Sequence, residues 1–183
     1  MILLRLALYA AAIASIPSAV ASETVTPEPD HSAYHFVSHF SVDIEASAED
    51  VWPQLRDLGS WMYEFDLTLE SGEAGEKGEV RRLYAGQDFF IQVTRIIPEK
   101  LLVFANLPSS FNGEHSTGVA IISITEAGGT STVSLTMSRR YRWDGEGENP
   151  NMALRESDEF QERTRSMWQD RFLGRLKSLV ESR

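Results

Sequence analysis

The chain contains no cysteine. That absence excludes disulfides, cysteine-ligated zinc, a thiol nucleophile and a lipidated cysteine behind a leader. No glycine-rich phosphate loop follows a strand and no nucleophile elbow occurs, so nucleotide chemistry and serine-hydrolase chemistry have no positive signal. Basic residues are few, with 17 Lys and Arg against 27 Asp and Glu and a net charge of −10. Such a balance argues against nucleic acid as a partner and against a simple electrostatic hold on anionic lipid head groups. Long apolar runs are lacking too, since the one that opens the chain, residues 6–16, is short for a membrane span.

What surrounds that run gives it a meaning. Arg5 precedes it, Pro17 follows, and Ala19-Val20-Ala21 presents the small side chains of a cleavage site. Residues 1–21 therefore fit a secretory signal peptide cut before Ser22, the alternative being an uncleaved anchor. The expected location is periplasmic or secreted, with no stable membrane span after cleavage. Loss of Arg5 and of no acid leaves 16 basic residues against 27 acidic ones, a net −11. Residues 22–33, rich in Ser, Thr, Pro and acid, read as a flexible leader, and 34–183 as one domain with a sizeable core.

Within that domain the last segment, 160–183, reads as one long amphipathic helix. Phe160, Met167, Trp168, Phe172, Leu176, Leu179 and Val180 recur mostly at spacings of three and four. Burying a side chain such as Phe172 or Leu176 stabilises by roughly 1.5–3 kcal/mol, so this stripe requires a large apolar surface opposite it. Strands supply one. Residues 34–45 alternate through Phe36, Phe40, Val42 and Ile44, and Ser47 with Asp50 three residues on signals a helix start. Pro53 predicts a kink or a short helix, Gly59 a break, and Ser60 the cap of a second short helix. From Asp66 the period becomes two, with glycine turns at 72, 75 and 78. Strands are expected over 79–84, 89–97, 101–105, 118–125 and 130–141, with Arg95 interrupting the parity of 89–97 and a polar loop over 106–114. The last has the cleanest alternation, Val133, Leu135, Met137 and Tyr141 against Thr132, Ser134, Thr136 and Ser138.

The order strand, two short helices, six strands and a long terminal helix, together with the opening strand through Val51-Trp52, the glycine-punctuated hairpin and Val93-Thr94-Arg95-Ile96-Ile97-Pro98-Glu99-Lys100-Leu101, resembles the START-like or SRPBCC superfamily. That superfamily has the helix-grip fold shared by pollen-allergen lipid binders and polyketide cyclases. The resemblance implies an α+β domain in which a curved seven-stranded antiparallel sheet grips the terminal helix and leaves a cavity. A curved sheet and a single helix cannot touch along their whole length, which leads to the same expectation. Candidate ligand-binding residues are Trp61, Tyr84, Phe104, Met137, Tyr141, Met167, Trp168 and Phe172, each of which has ordinary core packing as its alternative role.

Arg139 joins them on different grounds. It shares the inward parity of Val133, Leu135 and Met137, and an inward arginine requires an anion. That anion is either a ligand carboxylate or phosphate or an internal partner such as Glu64 or Asp66, unless the side chain snorkels to the strand end. Arg82 and Arg95 raise the same question more faintly. His31, His35 and His39 are spaced by four, but on a strand they do not converge as on a helix, and the acidic run 144–148 lacks calcium-loop spacing; no metal and no cofactor is expected. The sequence thus points to a binder of a small hydrophobic or amphipathic molecule. The alternatives are an enzyme of cyclase, dehydratase or hydrolase type using Tyr84, Tyr141 or His115 as acid or base beside Arg139, and a ligand-free interaction module.

Overall fold

Residues 33–84, 87–111 and 113–183 are described by the computed structural model. The leader 1–21, most of the segment read as a flexible linker, and His31 lie outside the described residues. The first strand, β1 (Ala33–Ile44), keeps its expected alternation: Phe36, Phe40, Val42 and Ile44 turn inward, while His35, Val37, His39, Ser41 and Asp43 are exposed. His35 and His39 reach across to hydroxyls of the last strand, at 2.7 Å to Ser138 Oγ and 3.0 Å to Thr136 Oγ1.

Ser47 starts α1 (Ala48–Arg56) by accepting a bond from the Asp50 backbone N–H at 3.2 Å and donating its hydroxyl to the Asp50 carboxylate at 2.7 Å. Such a cap satisfies one of the orphan donors of the first turn. Ser47→Ala is expected to cost about 1 kcal/mol, read as a lower thermal midpoint; an unchanged midpoint would show that the cap contributes nothing. Val51, Trp52 and Leu55 are buried on the opposite face from the exposed Pro53, which is tolerated in so short a helix. The next helix, α2 (Leu58–Trp61), departs from expectation. It begins after Asp57 with Gly59 inside it, and Ser60 donates its hydroxyl to the Asp57 carbonyl rather than capping a helix start.

Six strands follow: β2 (Asp66–Ser71), β3 (Val80–Tyr84), β4 (Asp88–Ile97), β5 (Leu101–Phe111), β6 (Glu114–Ala127) and β7 (Thr130–Trp143). They meander in one antiparallel seven-stranded sheet of order β1-β7-β6-β5-β4-β3-β2, so α1 and α2 carry the chain from one edge to the other. Gly72 has φ 82°, and a Cβ there would sit 2.8 Å from the Gly78 carbonyl oxygen, which the tight β2–β3 connection does not permit.

Two irregularities explain where the pattern in the sequence misled. A register shift between Val93 and Arg95 turns Arg95 outward and leaves it exposed, so its intrusion into an apolar parity costs nothing. Most of the stretch read as a loop is strand, 106–111 in β5 and Glu114 in β6: the two remain paired through Ser109↔Ser116 and Phe111↔Glu114, after a shift that accommodates Pro108.

A short helix, α3 (Met152–Glu156), precedes the terminal helix. The terminal helix runs over 158–181 as α4 (Asp158–Arg165), a π-helical stretch (Ser166–Leu173) and α5 (Gly174–Glu181). Its second half is gripped by the sheet and α1, with Phe172, Leu173, Leu176 and Val180 in the core. Side chains of this helix also cover part of the β1 edge: Gln169 bonds both backbone groups of Ser41, Lys177 donates to the Asp43 carbonyl, and Glu181 accepts from Glu45 N–H. Among the described residues no helix is long and apolar enough to cross a membrane.

Candidate functional site

The two halves of the terminal helix differ in what they can bury. α5 supplies core residues, whereas α4, with the sequence DEFQERTR, buries none. Charged side chains cannot fill the space under the curved sheet, so a cavity of about 680 Å³ remains between the sheet and the first half of this helix. A space of that size falls in the range of small-molecule sites. Ile91, Phe104, Ala120 and Met137 form its floor by virtue of their inward strand parity. Met62 and Phe65, just after α2, close one side, and Phe160, Met167 and Trp168 descend from the helix. The π-helical stretch carries Met167, Trp168 and Arg171; such wide turns re-aim side chains and recur at functional sites.

Six of the nine residues singled out from the sequence border this space: Phe104, Met137, Arg139, Tyr141, Met167 and Trp168. The other three lie elsewhere. Trp61 is wholly buried in the corner between α1 and α2, where its indole N–H donates to the Leu55 carbonyl at 2.9 Å. Tyr84 ends β3 on the outer face and is 57% exposed. Phe172 sits behind Trp168, edge-on to it at 5.1 Å between centroids, and also meets Phe65 at 5.2 Å. Of the residues considered as acid or base, only Tyr141 borders the cavity. His115 points outward to Asp144, with Nε2 2.7 Å from a carboxylate oxygen. Arg82 is held on the surface by Glu70 and Asp88.

Arg139 is half-buried in the cavity wall, opposite Gly118 on β6 and Phe36 on β1. A Cβ at Gly118 would lie 2.9 Å from the Ser138 carbonyl oxygen and 3.1 Å from Arg139 Cγ. Glycine therefore leaves the path along which the arginine stem runs. Neither internal anion considered from the sequence meets it: Glu64 pairs with Arg171, and Asp66 is exposed on β2. Among the described residues the Arg139 side chain has no hydrogen bond or ion pair.

One part of the site was missed in the sequence. Glu114, 6% exposed, accepts from Arg155 Nε at 3.1 Å and Nη2 at 2.8 Å, from Asn151 Nδ2 at 2.8 Å and from Asn149 Nδ2 at 3.3 Å. The Arg155 guanidinium lies 3.7 Å above the centroid of the Tyr141 ring, a cation–π arrangement. Burial raises the Glu114 pKa, but the Arg155 bonds and charge and the two asparagine amides together hold it below the ordinary glutamate value of 4.5. The network ties the connection between β7 and α4 to β6 at the cavity's polar end. Its signal was the inward parity of Glu114 with Ala120, Ile122 and Ile124, hidden while 106–114 was read as a loop.

A second, shallower trough of about 510 Å³ lies between β1 and α4. Its arginine is already paired, as Arg165 is held by Glu162 at 2.7 Å and lies 3.6 Å from Asp170, and it offers no apolar floor comparable with that of the first cavity.

Solved structures share this architecture. An aromatase/cyclase, Zhui from Streptomyces sp. R1128, superposes with a TM-score of 0.59 at 17% identity over 82% of this chain and 96% of its own. Ara h 8.0201 gives 0.56 at 9% identity, covering 82% of this chain and 100% of its own. Norcoclaurine synthase from Thalictrum flavum, in truncated form, gives 0.55 at 15% identity over 83% and 97%. No protein-family model matches the chain, and no curated protein matches it in sequence. At these identities the similarity establishes the fold alone, a helix-grip fold, and the function rests on the site.

Proposed function

We propose, from a helix-grip fold with an unfilled interior, that this protein binds a small apolar or amphipathic molecule, lipid-like or polyketide-like, between its sheet and the first half of its terminal helix. The cavity of about 680 Å³, apolar on its floor and polar at one end, carries the reading. Aromatic and methionine side chains, among them Phe104, Met137, Met167 and Trp168, give a wall able to adapt to an irregular apolar ligand. Export belongs to the same proposal, because residues 1–21 have the composition of a cleaved leader.

Native mass spectrometry of protein recovered from its producing cells tests both parts. The expected mature species begins at or near Ser22 and carries a small hydrophobic molecule that solvent extraction releases. Protein that retains residues 1–21 in the cytoplasm would remove export from the proposal. An empty protein that takes up no apolar probe would favour an interaction module, and turnover of the extracted compound would make the same cavity an active site.

A further inference from the structure

Charge is distributed unevenly in this molecule. Acids outnumber bases by ten over the chain, yet the cavity wall holds four arginines, Arg139, Arg155, Arg163 and Arg171, against one carboxylate, Glu114. Two of the four are already matched. Arg155 spends its fork on Glu114, and Arg171 is paired with Glu64. Arg163 is exposed at the rim, where water screens it. Arg139 differs from all three: half-buried, without an anion among the described residues, and set across from Gly118, whose missing side chain gives it room. A guanidinium partly withdrawn from water and left unpaired is a cost to the fold that an apolar residue at the same position would avoid.

Resting on the ligand-binding reading above, we propose that the ligand is a carboxylic acid whose single carboxylate pairs with the Arg139 guanidinium while its apolar body lies along Phe104, Met137 and Trp168. One free planar fork matches one carboxylate in charge and in shape. A dianionic phosphate would need a second unpaired cation at the same depth, and Arg155 is engaged by Glu114. Arg139 and Tyr141 alternate with outward residues on β7, so the polar contact is built on a strand paired on both sides, which fixes where the acid end sits.

Titration of the mature protein with palmitate, hexadecanol and hexadecyl phosphate below their aggregation limits tests this. Palmitate is expected to bind about tenfold or more tightly than hexadecanol, the ratio that ~1.4 kcal/mol of differential interaction produces. Arg139→Gln should abolish that preference by weakening palmitate far more than hexadecanol, and Arg139→Lys should keep part of it by keeping the charge. Equal wild-type affinity for acid and alcohol, or equal losses of both in Arg139→Gln, would overturn the acid assignment while leaving the cavity as a binding site. Tighter binding of hexadecyl phosphate than of palmitate would overturn the choice of a carboxylate. Failure of wild type to bind any of the three would overturn the ligand-binding reading and the assignment with it.

Discussion

Trp168→Ala is expected to lower stability by about 3–5 kcal/mol, the range for deleting a large buried aromatic. The indole is 2% exposed and forms the hinge of an aromatic cluster, 5.1 Å from Phe172 and 6.4 Å from Phe65 between ring centroids. Truncation removes those contacts and, because Trp168 also borders the cavity, merges its own volume with a space the helix does not fill. Collapse cannot repair this, since the sheet behind is held by continuous pairing of β4 to β7. Trp168→Phe separates packing from polarity. Among the described residues the indole N–H has no hydrogen-bond partner, so phenylalanine gives up apolar contact but also relieves a buried orphan donor. Its loss should be well below that of alanine. Denaturant midpoints for the two variants decide the matter, and an alanine effect within about 0.5 kcal/mol would mean that the ring carries no packing role.

The fold was legible because its signals are local and repeated. The two-residue period of β7 and the four-residue spacing of Trp168, Phe172 and Leu176 each demand one buried face, and only a sheet laid on a helix satisfies both. Arg139 was legible for the same reason, as parity alone turns it inward. Trp61 and Tyr84 were misjudged because aromatic character alone does not say on which face, or in which corner, a side chain packs. Trp61 is drawn into the corner packing of two short helices, and Tyr84 falls on the outer face of the sheet. The Glu114 network was illegible for a further reason. Its members Asn149, Asn151 and Arg155 come from an irregular connection whose path is set by tertiary contacts, so no spacing in the sequence brings them to a strand 35 to 41 residues earlier.

Glu114→Gln is expected to be the other costly substitution, at about 3 kcal/mol or more, because breaking a buried ion pair strands the remaining charge. The side chain keeps its size, so no cavity is created. What changes is that an amide now faces the Arg155 fork and the two asparagine amides, all of which are donors, and Arg155 is left against Tyr141 without a counter-charge. Cation–π contact with one ring does not replace a bidentate carboxylate. Acid should imitate the substitution. Since the folded-state pKa of Glu114 is depressed, unfolded protein binds the proton more readily than folded protein does. The contribution of the ion pair is therefore complete above the ordinary glutamate value of 4.5 and is lost as pH falls from there through the lower folded value. Stability measured against pH for wild type and Glu114→Gln should differ by a constant amount near neutrality and converge below about pH 4.5. Curves that stay parallel through that window would show that the carboxylate charge is not what secures the connection between β7 and α4, and a variant as stable as wild type at neutral pH would show that Arg155 finds another anion or reaches water.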